Sequence, residues 1–170
     1  MKRLVFCFFS LAACQAILAQ DSGKTLANIL LGHWQTSKNF SLAVANAMPD
    51  DDYSFKATPP EMSFGEQMNH IAQANANYCS MALDTPSPVK KSSEAGKPAA
   101  VQNLTTSYDY CISGLEKMTD ADLLKPISKN GHTITAFELF WGAYSHAAHH
   151  RGQAEVYLRL KGVTPPAYKF

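Results

Sequence analysis

Four stretches of apolar residues recurring at spacings of three and four, each closed off by prolines, glycines or a cap, leave this chain little to fold into except helices packed side by side. The first runs from Gly23 to Met48, with Leu26, Ile29, Leu30, Trp34, Phe40 and Val44 among its apolar positions, and stops at Pro49 and three aspartates. The second opens at Thr58-Pro59-Pro60-Glu61, where Thr58 reads as the cap, Pro59 as the first helical residue and Glu61 as the far side of a capping box. Phe64, Met68, Ile71, Asn75 and Tyr78 carry its stripe to about Leu83. The third extends from about Pro98 to Met118 through Val101, Leu104, Tyr108, Cys111 and Leu115. The fourth starts at Thr135 with a second capping box to Glu138 and ends at Lys161, before Gly162 and the Pro165-Pro166 pair.

The links between these segments say how they are arranged. Asp84 to Lys97 holds Pro86, Pro88 and Gly96 together with Lys90, Lys91, Ser92 and Ser93 and no apolar period, so it reads as a long exposed connection. A tight turn would force its flanking helices antiparallel; a connection of this length can run back along the bundle and leave them parallel. Thr119 to Leu124 reads as a short turn, and the segment around Pro126 and Asn130-Gly131 as a loop. No strand pattern competes. The expected fold is all-α: a four-helix bundle with a long crossover between helices 2 and 3.

At the N-terminus, Lys2 and Arg3 precede an uncharged apolar run from Leu4 to Leu18, and Asp21-Ser22-Gly23 follows. This is the layout of a signal peptide, and the run is shorter than the roughly 20 residues that span a bilayer. Cleavage after Ala19 would leave a single domain over residues 20–170, periplasmic or secreted. Leu11-Ala12-Ala13-Cys14 also resembles a lipobox, in which Cys14 would be lipidated and the product anchored as an outer-membrane lipoprotein; the apolar run continuing past Cys14 favours ordinary cleavage. Loss of Lys2 and Arg3 takes the formal net charge from +1 to about −1. With 17% charged residues of mixed sign, nothing here recruits nucleic acid or an acidic membrane.

Cys7 and Cys14 belong to the leader, leaving Cys79 and Cys111 as the pair in the body of the chain. An oxidising compartment and an even count favour a disulfide between them, against two buried thiols packing as small apolar residues. If helices 2 and 3 are parallel, the two cysteines come to similar heights.

His146 and His150 are four apart in the fourth helix, so their rings project one turn apart from one face and can reach a common ion. A divalent ion such as zinc, nickel or iron takes neutral imidazole nitrogens at about 2.0–2.1 Å, and a third ligand must come from a facing helix. His70, near the midpoint of the second helix, is the best-placed candidate. His33, His132 and His149 fit less well, the last being turned about 100° from His150. On their own, His146 and His150 could equally form a polar helix face.

The stretch Ser145-His146-Ala147-Ala148-His149-His150-Arg151-Gly152-Gln153, followed by Tyr157-Leu158-Arg159 and Gly162 to Pro166, resembles the DinB family of bacterial four-helix proteins, whose hallmark is HxxxHRGQ. Phe64 to His70 looks like the segment that supplies the family's remaining histidine. The resemblance covers most of the mature chain and implies metal ligands at His70, His146 and His150, a parallel helix pair joined by a long crossover, and a possible homodimer. Gln153, on the same side of the helix as His150, is expected to hold a metal-bound water or orient a ligand ring, or else to bond the backbone. Arg151 is expected to reach a carboxylate on a neighbouring helix, and Gly152 to permit close helix approach.

Three nitrogen ligands leave a coordination position open, the arrangement of catalytic metal sites. Three functions follow as expectations: a metal-dependent hydrolase acting on an unidentified small molecule, a metal-dependent thiol S-transferase like some DinB-like relatives, or a non-enzymatic bundle stapled by its ion. Export counts against thiol transfer, because reduced thiol cofactors are chiefly cytoplasmic. No acid in the motif region, Glu138 or Glu155, is in phase with both ligands of the helix.

Overall fold

The computed structural model describes residues 23–89, 96–129 and 131–169; the expected leader, with the cleavage site and Cys14 named for it above, lies outside them. Four long helices carry the fold: α1 (Thr25–Ala47), α2 (Phe64–Leu83), α3 (Lys97–Leu115) and α5 (Ala136–Leu160). A 3-10 turn (Asp50–Asp52) follows α1, and a short helix α4 (Asp120–Leu124) with a hairpin of β1 (Pro126–Lys129) and β2 (His132–Thr135) joins α3 to α5. No described helix is long and apolar enough to cross a membrane.

Side-chain pairings fix the helix directions. Asn69 meets Asn103, Cys79 is bonded to Cys111, and Leu83 lies against Gly114. The residue numbers rise together, so α2 and α3 are parallel, as the length of the link between them allows. α1 and α3 run opposite ways: Lys24 bonds the Glu116 carbonyl, Lys38 pairs with Asp109, and Lys97 reaches the carbonyls of Asn46 and Met48. α2 and α5 are also antiparallel, with Tyr157 donating to the Met62 carbonyl at one end and Tyr78 against Gly142 at the other. Going round the bundle the order is α1, α3, α2, α5, with α5 closing back on α1. The core fills the centre: Trp34 sits edge-on to Tyr108 and Phe140 at 5.7 and 5.8 Å, with Phe64, Met68, Ile71 and Leu104 buried around it.

Two local expectations are corrected. α2 does not start at Thr58; its cap is Ser63, whose hydroxyl accepts from the Glu66 N–H at 3.2 Å while the Glu66 carboxylate accepts from the Ser63 N–H at 2.6 Å. Thr58 and Glu61 make only a backbone turn. The physical reason is Pro60, which disfavours helical geometry at Pro59. The Phe55 and Tyr53 carbonyls then take the first N–H groups of α2, those of Phe64 and Gly65, both at 2.9 Å. The stretch expected to be a loop around Asn130-Gly131 is instead a hairpin, with Pro126 paired to Thr135 and Lys129 to His132. Gly131 has φ +79°, the backbone that such a two-residue turn demands. Asn130-Gly131 between Ile127 and Ile134 was the available signal.

α1 has no side-chain cap of its own. The Asp120 carboxylate, from the first turn of α4, accepts from the Ala27 N–H at 3.0 Å and brings negative charge to that N-terminus.

Candidate metal centre

His70 projects from the middle of α2, and His146 and His150 from successive turns of α5, the antiparallel neighbour. One ligand nitrogen from each ring lies within 4.8 Å of the others. His70 Nε2 and His146 Nε2 are 3.1 Å apart, and the ring centroids of all three pairs fall between 4.4 and 4.9 Å. Bonds of about 2.0–2.1 Å to one ion put ligand nitrogens about 3–3.5 Å apart, so the donor set fits a single ion with small ring rotations. His150 is buried and the other two are half-buried. Sequence reasoning placed all three residues in one site, and the fold brings all three together.

The tautomer of His150 is set by its surroundings. Its Nδ1 lies 2.7 Å from Gln67 Oε1, and an amide oxygen only accepts, so Nδ1 carries the proton and Nε2 presents a lone pair to the cluster. Gln67, wholly buried on α2 one turn before His70, in turn donates through Nε2 to Gln153 Oε1 at 2.9 Å. Gln153 donates through its own Nε2 to His149 Nε2 at 3.0 Å. Gln153 therefore meets neighbouring side chains rather than the backbone: it bonds the ring of His149, and its side chain also acts on the ring of His150, partly opposing the lowering of that group. The direct partner of His150 is Gln67, which sequence reasoning missed. Its one signal was a polar residue three positions before His70, on the same helix face.

Burial, then the nearby rings of His146, His70 and His149, pushes His150 down to about 4; burial and the rings of His70 and His149 also lower His146. Both are neutral at pH 7, the state a metal ligand needs. His146 Nδ1 is buried with no hydrogen-bond partner among the described residues, so nothing comparable fixes that ring.

The remaining motif residues depart from expectation. Arg151 is buried but meets no carboxylate among the described residues: its Nη1 donates to the hydroxyls of Ser37 and Ser41 at 3.1 and 3.2 Å, and its guanidinium lies 4.5 Å over the ring of Phe40. Those hydroxyls also contact Tyr108 Oη, so the arginine locks α5 to α1 and α3 through neutral groups. α1 offers Arg151 only serines and a phenylalanine at that level, and a cation–π contact replaces the ion pair. Gly152 is exposed, and an added Cβ would meet nothing within 4 Å, so it does not mediate close helix approach. His33 stacks obliquely on Tyr144, and His132 is exposed on β2 rather than in a loop. Neither joins the cluster.

A bundle with two parallel pairs of neighbouring helices, α2 with α3 and α1 with α5, a long crossover, and three histidines gathered between its second and last long helices defines a class of four-helix proteins. The model of the DinB family matches residues 22–170, and the chain belongs to that family. It is 26% identical over 141 residues to the uncharacterized protein YjoA of Bacillus subtilis (strain 168), a match covering 81% of this chain and 92% of that protein. The crystal structure of the same DinB-like protein, YjoA, superposes with a TM-score of 0.70 at 22% identity, covering 82% of this chain and 95% of the other. A DinB-like protein from Bacillus cereus ATCC 10987 superposes with a TM-score of 0.68 at 18% identity, again over 82% and 95% of the two chains. At these identities the superpositions speak to the fold alone.

Proposed function

We propose that this DinB-family protein is an exported metalloprotein that holds one divalent ion, zinc, nickel or iron, through His70, His146 and His150, and uses the open side of that ion for hydrolysis of a small molecule. The observation that carries the reading is the convergence of three imidazole nitrogens within 4.8 Å, with the buried ring already in the tautomer that leaves Nε2 free. A bound divalent ion supplies Lewis acidity at a position reachable from solvent. His70 and His146 are half-buried, and His150 is buried. Export is supported by the leader sequence and by the buried Cys79–Cys111 disulfide, which belongs to an oxidising compartment, periplasmic or extracellular. The same compartment argues against thiol transfer.

The reading in which the ion is mainly a staple has its own support. Trp34 is enclosed by Tyr108 and Phe140 and does not line a cleft beside the cluster. The ion would tie α2 to α5 in either case. Elemental analysis of untagged protein, followed by turnover assays on ester and amide panels with chelated and metal-restored samples, separates the two. Metal-restored hydrolysis that is lost in His150→Ala supports the enzyme; a stoichiometric ion that raises the melting temperature with no turnover on any panel leaves the staple. No bound ion, and no stabilisation by added zinc, nickel or iron, would end both.

A further inference from the structure

The cluster is backed by a hydrogen-bonded chain in which every link has one permitted direction. His150 Nδ1–H donates to Gln67 Oε1 at 2.7 Å, Gln67 Nε2–H to Gln153 Oε1 at 2.9 Å, and Gln153 Nε2–H to His149 Nε2 at 3.0 Å. An amide nitrogen never accepts and an amide oxygen never donates, so fixing any one group fixes the rest. Reversing one glutamine would set donor against donor at one end and acceptor against acceptor at the other. The chain crosses from α5 to α2 and back, and its central member, Gln67, is wholly buried. Burial strengthens the His150–Gln67 bond and raises the cost of breaking it, while the last link, to His149, is exposed.

We infer that Gln67 is the positioning residue of the metal centre: it selects the Nδ1–H tautomer of His150, aims Nε2 at the ion, and is itself held in register by Gln153. This rests on the three-histidine metal site proposed above and adds the element that pre-orders it. The partner of a ligating imidazole is usually a carboxylate or a backbone carbonyl. A neutral amide fixes the ring with no added negative charge, so the centre is organised before the ion arrives and keeps the full positive charge of the ion once it is bound. Among the described residues neither His70 nor His146 is in such a chain, which makes His150 the fixed ligand on which the other two close.

The test compares metal affinity, by competition with a chromophoric chelator, and the His150 tautomer, by nitrogen chemical shifts of the metal-free protein, across a set of full-length variants. Gln67→Leu removes the acceptor and should weaken zinc binding about 10- to 100-fold, with the Nδ1–H tautomer no longer dominant. Gln67→Glu restores the acceptor; affinity should return to the wild-type value or above it. In that variant Gln153 must turn its amide over, so the tautomer of His149 should switch to Nε2–H. Gln153→Ala, changed at a half-buried position, keeps the inference testable if Gln67→Leu does not fold; it should weaken binding less than Gln67→Leu while shifting the His150 tautomer the same way. Wild-type protein that binds zinc, with Gln67→Leu or Gln153→Ala binding it within threefold and His150 unchanged, overturns the role of Gln67 and leaves the site standing. Wild-type protein that binds no zinc, nickel or iron overturns the site itself.

Discussion

Two of the three imidazoles are kept neutral by where they sit, and that couples the proton to the stability of the metal-free protein. His150 is held down at about 4 and His146 below its ordinary value, burial being the main cause in each. In the unfolded chain both titrate near 6.5. Between those limits the unfolded chain binds more protons than the folded one, so stability rises with pH through this window. The contribution of the two rings is complete above about pH 6.5 and is lost as pH falls towards 4. Urea unfolding of the metal-free protein should give a lower midpoint at pH 5 than at pH 7.5, and substituting His146 and His150 together with Gln should flatten the difference. A midpoint independent of pH in the parent protein would contradict the assignment. Metal affinity follows the same sign, since each proton competes with the ion for a nitrogen.

At the scale of the elements, caps decide where helices begin, and they also show what sequence can and cannot convey. Thr58-x-x-Glu61, Ser63-x-x-Glu66 and Thr135-x-x-Glu138 carry the same signature. Two of the three form capping boxes. Ser63→Ala should cost about 1 kcal/mol in thermal or urea unfolding. Thr58→Ala should stay within about 0.5 kcal/mol, as for an ordinary surface change. Equal losses would return the helix start to Thr58. The periodic stripes, the Pro and Gly stops, the parallel pair and the histidine set were legible because each depends on spacing along one helix or on the length of one link. The true start of α2 was not, because it depends on carbonyls of Tyr53 and Phe55 folding back from the preceding loop. Gln67 and the serine partners of Arg151 were hidden for a related reason: each is defined by what a different helix presents at the same height.

For the whole molecule, the parallel arrangement of α2 and α3 makes the Cys79–Cys111 bond a lock on topology. It closes a loop spanning a sequence separation of 32 residues that contains the entire crossover. Restricting the unfolded chain over such a loop is worth about 3–4 kcal/mol. Cys79→Ala combined with Cys111→Ala should lower the urea-derived stability by roughly that amount, and reductant should do the same to the parent protein but leave the double variant unaffected. A loss under about 1 kcal/mol would mean that the link adds little. The placing of α1 between α3 and α5 carries a different consequence. The first helix to leave the ribosome finds its first lasting neighbour only in α3, is completed only when the final 25-residue helix has been made, and its leading turn waits for a carboxylate 93 positions downstream. No N-terminal fragment of this protein is a smaller version of the whole, and a chain interrupted anywhere before its last helix is left without two of its three clustered histidines and with one side of its oldest helix uncovered.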